Sequence, residues 1–424
     1  MDTMQKELEK RRLRYRGKRK RPAVFSACIL AAGVLFWAFM LITKCANIDS
    51  YFITDHHDTA MDYFNMLSNI YHGDPYYAHA NYPALCFVFF RIMYTFLPLP
   101  ITEDYGDGFY LRNDMAAQLG YMLFVMVSIL IIWSVIQSLV KGSHFQKQLF
   151  GAALLFSGPM AFAMERGNIL LLALAFLMVF FALYDSEKQS HRIIAYLALS
   201  VAAGLKIYPA VFGLLVLWKK RYKETALLVV MGIVVFLLPF FCFNGFDSLR
   251  MMLEGISISS ANMAGLGLGQ NYSFPNLFLL ISATLGGDAA TVPGWVNLIP
   301  IVLCVFFFFI SDSEWKKLYV MALFCIWLPR FAYTYVLVLM FLPILSFYFR
   351  NEKHSPFDGL YSFFFWVMMI PMCTPIIDRI NDVAGDTFPV SLGTGLVYLS
   401  LVGILVCILI EWVQKSNCSQ NKKA

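Results

Sequence analysis

Residues Tyr51 to Pro83 read YFITDHHDTAMDYFNMLSNIYHGDPYYAHANYP, and this polar stretch stands between the first two long apolar runs of the chain. It contains four aspartates and four histidines, whereas most of the remaining sequence is apolar. Ordering such an insert costs conformational entropy, and loops that repay this cost usually carry function. The sequence therefore predicts a functional loop that ends where the second apolar run begins, at about Ala116.

Composition places the chain among integral membrane proteins. Hydrophobic residues make up 59% of the 424 residues, charged residues make up 14%, and the mean hydropathy is +0.64. A soluble domain carries about 25% charged residues, so lipid must solvate much of this surface. A helix of about 20 apolar residues crosses the bilayer core. The apolar runs thus predict an all-α membrane protein with about 12 transmembrane helices. The nine cysteines have no metal-binding spacing and are interpreted as small apolar core residues.

The basic residues predict the orientation in the membrane. Ten of them lie between Lys6 and Arg21, directly before the apolar run Ala23–Thr43, which is too long for a signal-peptide core. When the predicted spans alternate, the outer segments contain only Lys44, Arg91, Arg112, Arg166, Lys206, Arg250, Arg330 and Arg379. This distribution satisfies the positive-inside rule, so we expect a multi-pass protein of a bacterial plasma membrane with both termini cytoplasmic. An RNA-binding arm is the alternative for the N-terminal segment, but attraction to anionic lipid is more ordinary. No nucleic-acid partner is predicted.

The same boundaries predict the domain organisation. Residues 1–22 form a basic cytoplasmic tail, residues 23–413 form the membrane domain, and residues 414–424 form a second cytoplasmic tail. Within the membrane domain, residues 44–115 form a long extracytoplasmic loop. The apolar segment Leu85–Leu97 lies between Pro83 and Pro98 and is too short to cross, which predicts an interfacial helix. Asp74, in the sequence Gly-Asp-Pro-Tyr, is expected to brace a turn.

The apolar stretch Ile193–Leu217 is predicted to form a hairpin with its tip at Lys206-Ile207-Tyr208-Pro209. One straight helix would place the charged segments 185–192 and 219–223 on opposite membrane faces, whereas a hairpin keeps both inside. Each arm is at most about 18 Å long, so the tip lies within the protein below the outer surface. At that depth Lys206 either snorkels towards the headgroups or binds an anionic group such as a lipid phosphate.

A second outer turn carries Glu165, Arg166, Gly167 and Asn168. Gly167 permits a positive φ, and Asn168 can cap the helix that follows. Arg166 either pairs with Glu165 inside the turn or makes a bidentate contact with a phosphate. Both interpretations remain open at this stage.

A third outer segment, LGLGQNYSFPN at residues 266–276, contains uncharged polar side chains. Gln270, Asn271 and Ser273 supply the donors and acceptors that are typical of hydroxyl recognition. The alternative is an ordinary turn rich in glycine and asparagine.

At four places the chain resembles the polytopic lipid-dependent glycosyltransferases of the GT-C fold, and most of all glycosyltransferase family 87. The matching motifs, in the family's order, are Asp62-Tyr63 with Gly73-Asp74-Pro75-Tyr76 and Tyr82-Pro83, then Arg166-Gly167-Asn168, then Gly204-Leu205-Lys206-Ile207-Tyr208-Pro209, and then Asn271-Tyr272-Ser273. The resemblance covers residues from about Asp55 to Pro275. The late segment Leu328–Tyr335 departs from the family because it lacks the family's histidines. Tyr82 and Tyr335 are nevertheless expected to bind substrate.

The resemblance implies a membrane glycosyltransferase that uses a polyprenyl-phosphate-linked sugar donor and a glycolipid or polysaccharide acceptor on the extracytoplasmic face. Such transfer needs a base on the acceptor hydroxyl and cations on the leaving phosphate, and an inverting enzyme needs only one carboxylate. Asp62 is the predicted base, and Asp58 is the second candidate. Arg166 and Lys206 are expected to neutralise the phosphate.

Three alternatives accompany this hypothesis. A metal site at Asp55, His56, His57 and Asp58 is conceivable, but four adjacent ligands suit solvation of a loop better, so no metal and no cofactor are predicted. A polysaccharide polymerase would place its long polar loop late in the chain. A transporter of lipid or glycan would distribute charges along helices and contain inverted repeats, neither of which the sequence displays.

Overall fold

The computed structural model describes residues 21–44, 59–71, 73–78, 80–97, 108–262, 271–285, 292–350, 354–370, 376–383 and 386–420. Helices α1 to α11 are Pro22–Ile42, Met61–Tyr71, Ala84–Phe96, Gly108–Leu111, Met115–Leu139, His144–Leu155, Gly158–Arg166, Leu170–Leu183, Gln189–Leu205, Leu214–Trp218 and Tyr222–Leu237. Helices α12 to α18 are Phe246–Asn262, Phe274–Thr284, Leu298–Ile310, Glu314–Trp327, Phe341–Phe349, Asp358–Met369 and Leu392–Gln420.

Short 3-10 segments and one hairpin complete the described part of the chain. The 3-10 segments are Pro75–Ala78, Tyr208–Gly213, Leu238–Cys242, Gly294–Asn297 and Thr334–Met340. Strand β1 (Ile376–Val383) pairs antiparallel with strand β2 (Asp386–Ser391). Apart from this hairpin, the regular structure of the described residues is helical, as the long apolar runs predict.

Among the described residues, four helices are long and apolar enough to cross a membrane. They are Pro22–Ile42, Met115–Leu139, Tyr222–Cys242 and Gly393–Asn417. Shorter apolar helices, of 10–17 residues, include α3, α8 and the segment Thr334–Phe349. These helices show a membrane protein, while the total of about 12 spans remains a prediction.

Two predicted spans are interrupted, and proline explains both interruptions. The predicted span Leu149–Met164 is split between α6 and α7: Ser157 is extended, and Pro159 lies in the first turn of α7, a position that proline favours. The predicted span Phe357–Ile377 ends early, because α17 stops at Met369 and Ile370 is extended. Pro371 follows Ile370 in the sequence, and a residue before proline disfavours the helical conformation.

The predicted hairpin between residues 193 and 217 is confirmed. Helix α9 ends at Leu205, and the chain resumes with the 3-10 segment Tyr208–Gly213 and α10. Asp185, which precedes α9, accepts from Lys219 Nζ at 2.8 Å and from Arg221 Nη2 at 2.7 Å, both beyond α10. The two charged segments therefore lie at the same end of the molecule, as the hairpin requires.

These charges belong to a larger cluster, here named the basal ion network, which consists of Asp185, Lys219, Arg221, Glu314 and Arg350. Glu314 is buried and lies 3.1 Å from Arg350 Nε and 3.8 Å from Lys219 Nζ. A buried carboxylate is tolerated only when it is paired, and removing one partner of such a pair is strongly destabilising. The network thus fixes the ends of α8, α10, α15 and α16 against one another.

Candidate active site

Asp62 lies in the first turn of α2 and contacts the C-terminal end of α7. Arg166 Nη2 donates to Asp62 Oδ1 at 2.5 Å. The side chain of Arg166 is 9% exposed and that of Asp62 is 19% exposed. The guanidinium therefore holds the carboxylate without enclosing it, and part of Asp62 stays accessible to a ligand.

The turn after Arg166 explains how these two residues meet. Gly167 ends α7 in the left-handed conformation, with a φ of 62°. A Cβ atom at Gly167 would lie 2.9 Å from the Cβ of Tyr63 and 3.1 Å from the ring of Tyr121. Only glycine combines this φ with so close an approach to α2. The Ala60 N–H also donates to the carbonyl of Glu165 at 2.6 Å, which joins the two segments directly.

Asn168 connects the carboxylate to a cation. Its Nδ2 donates to Asp62 Oδ2 at 2.7 Å and to the Tyr82 hydroxyl at 3.1 Å. Its Oδ1 accepts from the Leu170 N–H at 2.9 Å and from Lys206 Nζ at 3.0 Å. The bond to Leu170 satisfies the first N–H of α8, although Ile169, and not Asn168 as predicted, occupies the N-cap position. The other bonds fix Asp62 and Lys206 on the two sides of one amide.

Lys206 lies in the connection between α9 and the segment Tyr208–Gly213, and its ammonium points into this cluster. Besides the bond to Asn168, Nζ donates to the Tyr82 hydroxyl at 3.3 Å. It lies 4.7 Å from the centroid of the Tyr82 ring and 5.6 Å from that of the Tyr335 ring. Burial lowers the pKa of Lys206 to about 8, although the charge of Asp62 opposes this shift. The direction of the side chain does not support the alternative in which Lys206 snorkels to the headgroups.

Tyr335 brings the late segment into the same site. Its hydroxyl oxygen lies 3.5 Å from Asn168 Nδ2, and its ring stacks on Phe162 with centroids 6.2 Å apart. Tyr335 is predicted from the sequence to bind substrate, and its phenol lies beside the Asn168 amide and the Lys206 ammonium. Six predicted site residues therefore lie together: Asp62, Tyr82, Arg166, Asn168, Lys206 and Tyr335.

Asn271 and Ser273 bind the backbone segment that leads into this cluster. Asn271 Oδ1 accepts from the Ala332 N–H at 2.9 Å, and Ser273 Oγ donates to the Arg330 carbonyl at 2.9 Å. Both side chains are buried and hold the backbone that leads to Tyr335. This arrangement gives them a positioning role, and direct contact with a sugar hydroxyl remains a prediction.

The segment that carries most of these side chains matches a known protein family. The profile of glycosyltransferase family 87 matches residues 109–337, which is more than half of the chain. The chain belongs to glycosyltransferase family 87. Membership indicates a membrane glycosyltransferase that acts on a sugar donor and an acceptor. No curated protein and no solved structure gives a significant match.

The family 87 match and the earlier resemblance cover the site differently. The matched range contains Arg166, Asn168, Lys206 and Tyr335, and it begins after Asp62. The fold brings α2, with Asp62, against the matched part through Gly167. The candidate base of this family 87 protein thus comes from the polar first loop, and the cation comes from the matched hairpin.

Several predicted residues of this family 87 protein lie outside the described residues. They are the second candidate base Asp58, the polar residue Gln270, and the alternative metal ligands Asp55, His56 and His57. Within the described ranges, no group of three or more His, Cys, Asp or Glu side chains is arranged to hold a metal ion.

Two further side chains clarify the family 87 site. Asp74 braces its turn as expected: Oδ1 accepts from the Tyr76 N–H at 3.0 Å, and Oδ2 accepts from Asn244 at 2.6 Å. Tyr208 was not singled out from the sequence as a site residue, yet its ring centroid lies 5.7 Å from Lys206 Nζ. The signal that could have found it is its place in the same hairpin tip, two residues after Lys206.

Proposed function

We propose that this family 87 protein transfers a sugar from a polyprenyl-phosphate-linked donor to a lipid-linked or cell-envelope glycan acceptor on the extracytoplasmic face, with inversion. One observation carries the proposal: Asn168 holds the partly exposed carboxylate of Asp62 on its nitrogen and the ammonium of Lys206 on its oxygen. A carboxylate suits the proton of an acceptor hydroxyl, and an ammonium suits a phosphate. Both requirements of the reaction are therefore met within one cluster.

In the proposed step, Asp62 takes the proton of the acceptor hydroxyl while the hydroxyl oxygen attacks the anomeric carbon. The bond between this carbon and the phosphate oxygen breaks, and its electron pair leaves with the phosphate. The positive charge of Lys206 stabilises the negative charge that develops on the departing phosphate. A second carboxylic acid is therefore unnecessary. Arg166 keeps the carboxylate oriented through its bond to Oδ1. The contact between Arg166 and the phosphate remains a prediction.

The placement of charges supports an extracytoplasmic site. Helix α8 begins next to Asn168 and ends next to Asp185, and α9 ends next to Lys206. The site and the basal ion network thus lie at opposite ends of α8, which is about 21 Å long at 1.5 Å per residue. The network contains Lys219, Arg221 and Arg350, and the positive-inside rule favours the cytoplasm for such an end. The site then faces the extracytoplasmic side.

An apolar groove supports a lipid-linked donor. The groove has a volume of about 700 Å³ and lies between α9, the segment Tyr208–Gly213 and α11. Ile207 lines it, directly next to Lys206 in the chain, and all lining residues except Ser200 and Thr225 are apolar. A polyprenyl chain in this groove would bring its phosphate to the tip that carries Lys206.

We expect Gly232→Phe to weaken binding of a long-chain donor about tenfold. Gly232 lines the groove, and a Cβ atom added there would meet no atom within 4 Å, so the phenyl ring would enter the space proposed for the chain. A tenfold loss corresponds to about two fewer buried methylene groups at about 0.8 kcal/mol each. The measurement is donor affinity in nanodiscs with long and very short polyprenyl chains. The control is Val230→Phe, because Val230 is exposed on the same helix outside the groove. An equal loss of affinity for long-chain and short-chain donors would show that the groove does not bind the polyprenyl chain.

We expect donor affinity to fall about tenfold between pH 7 and pH 9. With a pKa of about 8, Lys206 is cationic below this pH and becomes neutral above it. A base one pH unit above its pKa is about one-tenth protonated. A phosphodiester donor keeps its single negative charge over this range, so the change reports on the protein. Binding curves at five pH values would measure it. The same slope in Lys206→Met would assign the titration to another group.

The function itself is tested with the purified wild-type protein in nanodiscs. Labelled polyprenyl-phosphate mannose and arabinofuranose, and matching nucleotide sugars, are offered with an envelope-lipid acceptor extract. We expect label to move only from a polyprenyl-phosphate donor. Sugar analysis of the cell envelope with and without the gene should identify the missing residue. Transfer from a nucleotide sugar alone would overturn the proposed donor class.

A further inference from the structure

Tyr208 has a buried hydroxyl that the proposed reaction has not yet used. Its oxygen is shielded from solvent and has no hydrogen-bond partner among the residues the structure describes. Its carbonyl accepts from Cys325 Sγ at 3.4 Å, and Pro209 follows it, so its backbone is held against α15. Leaving such a hydroxyl without a partner is unfavourable, and a ligand that accepted its hydrogen would remove this penalty.

The surroundings of this hydroxyl define the kind of ligand. Lys206 Nζ lies 4.7, 5.6 and 5.7 Å from the ring centroids of Tyr82, Tyr335 and Tyr208. The three phenols thus surround one ammonium.

Among the described residues, most of the O–H and N–H hydrogens of Lys206 and these three tyrosines have no protein acceptor. The Tyr82 oxygen accepts from both Asn168 Nδ2 and Lys206 Nζ, so its own hydrogen is left to donate. The Tyr335 hydroxyl lies 3.5 Å from Asn168 Nδ2, and an amide nitrogen does not accept, so the Tyr335 hydrogen is left for a further acceptor. Lys206 directs two of its three hydrogens to Tyr82 and Asn168. A site with one cation and several O–H donors is complementary to an anion with several oxygens.

We propose that Tyr208 donates a hydrogen bond to the phosphate of the lipid donor, and that this bond strengthens as the phosphate departs. The inference rests on the proposed function and adds a residue that neither the sequence motifs nor the carboxylate–lysine arrangement assigns. As the bond between the sugar and the phosphate breaks, its electron pair stays on the phosphate oxygen and the phosphate charge rises. Tyr208 keeps its proton throughout and acts only as a donor. An interaction that is stronger in the transition state than in the ground state raises the rate.

The test is Tyr208→Phe, which removes one oxygen atom and keeps the ring. Tyr348→Phe is the matched control, because the hydroxyl of Tyr348 is also buried and lies on α16 outside the site. Binding of polyprenyl phosphate and of uncharged polyprenol of the same length is measured in nanodiscs, together with the rate of transfer. A hydrogen bond to a charged group contributes about 1.5–3 kcal/mol, which is about a 10- to 100-fold effect. We expect this loss for polyprenyl phosphate in Tyr208→Phe and no change for polyprenol.

The outcomes separate this inference from the proposed function. Loss of phosphate binding and of kcat in Tyr208→Phe, with wild-type values in Tyr348→Phe, would support it. Wild-type preference for phosphate over polyprenol that is unchanged in Tyr208→Phe would overturn the role of Tyr208 and leave the proposed function standing. A change only in the KM of the acceptor would also overturn the assignment to phosphate. If the wild-type protein showed no preference for phosphate, the proposed function would fail and this inference with it.

Discussion

Asp62→Asn is expected to lower the rate of sugar transfer by about 10²–10⁴-fold, the usual contribution of a general base. The amide matches the carboxylate in size, but it takes up no proton near neutral pH. Its single oxygen can accept from Arg166 or from Asn168, so one of the two bonds to the wild-type carboxylate is retained. Lys206 is unchanged, and donor binding should survive. Single-turnover transfer with labelled donor and equilibrium donor binding would measure the two effects separately.

Two substitutions of the same chemical type serve as controls. Asp74→Asn weakens the bonds that Asp74 accepts from Asn244 at 2.6 Å and Ser248 at 3.0 Å, so it should lower Tm and leave turnover per folded molecule intact. Asp58→Asn tests the second candidate base. Normal turnover in Asp62→Asn together with loss in Asp58→Asn would assign the base to Asp58. Normal turnover in both would show that the loop does not supply the base.

Lys206→Met is expected to cost about 2–5 kcal/mol of donor affinity, as removal of a buried charged partner does at an interface. Methionine keeps the length of the side chain and removes the ammonium, with its bonds to Asn168 and Tyr82. Affinity is measured by titration of polyprenyl phosphate into protein in nanodiscs. Lys188→Met is the matched control, because Lys188 is exposed at the start of α9, the other end of the same helix. Equal affinity in all three proteins would reduce Lys206 to a structural role.

Much of the helical architecture could be predicted from local sequence. The apolar run Ala23–Thr43 corresponds to α1, and the run from Ala116 to Val140 corresponds to α5, because uninterrupted apolar length and flanking polar residues define such helices. The hairpin at Lys206 was predicted because it keeps the charged segments 185–192 and 219–223 on the same side of the membrane. Proline interrupted two other predicted spans, at Pro159 and Pro371, because hydropathy alone does not register the lost helical conformation.

The contacts within the site were harder to predict. The sequence predicted that Arg166 either pairs with Glu165 or binds a phosphate. The structure instead pairs it with Asp62, which is 104 positions away in the chain. This pair depends on the packing of Gly167 against Tyr63, a tertiary contact that no local pattern encodes. Asn271 shows a related difficulty. The sequence does not distinguish a polar side chain that faces a ligand from one that binds a neighbouring backbone segment. Asn271 does the latter, because its Oδ1 accepts from the Ala332 N–H.

The position of Asn168 has a consequence for how charge is distributed in the site. A carboxylate and an ammonium brought into direct contact would neutralise each other, and each would lose strength towards a substrate. In the described residues Asp62 and Lys206 form no ion pair, because the nitrogen of the amide faces one and its oxygen faces the other. The amide thereby acts as a spacer that prevents direct contact between the two charges. It keeps two opposite charges in one cluster. Under the proposed function, this spacing would set the distance that a glycosyl group crosses from phosphate to hydroxyl.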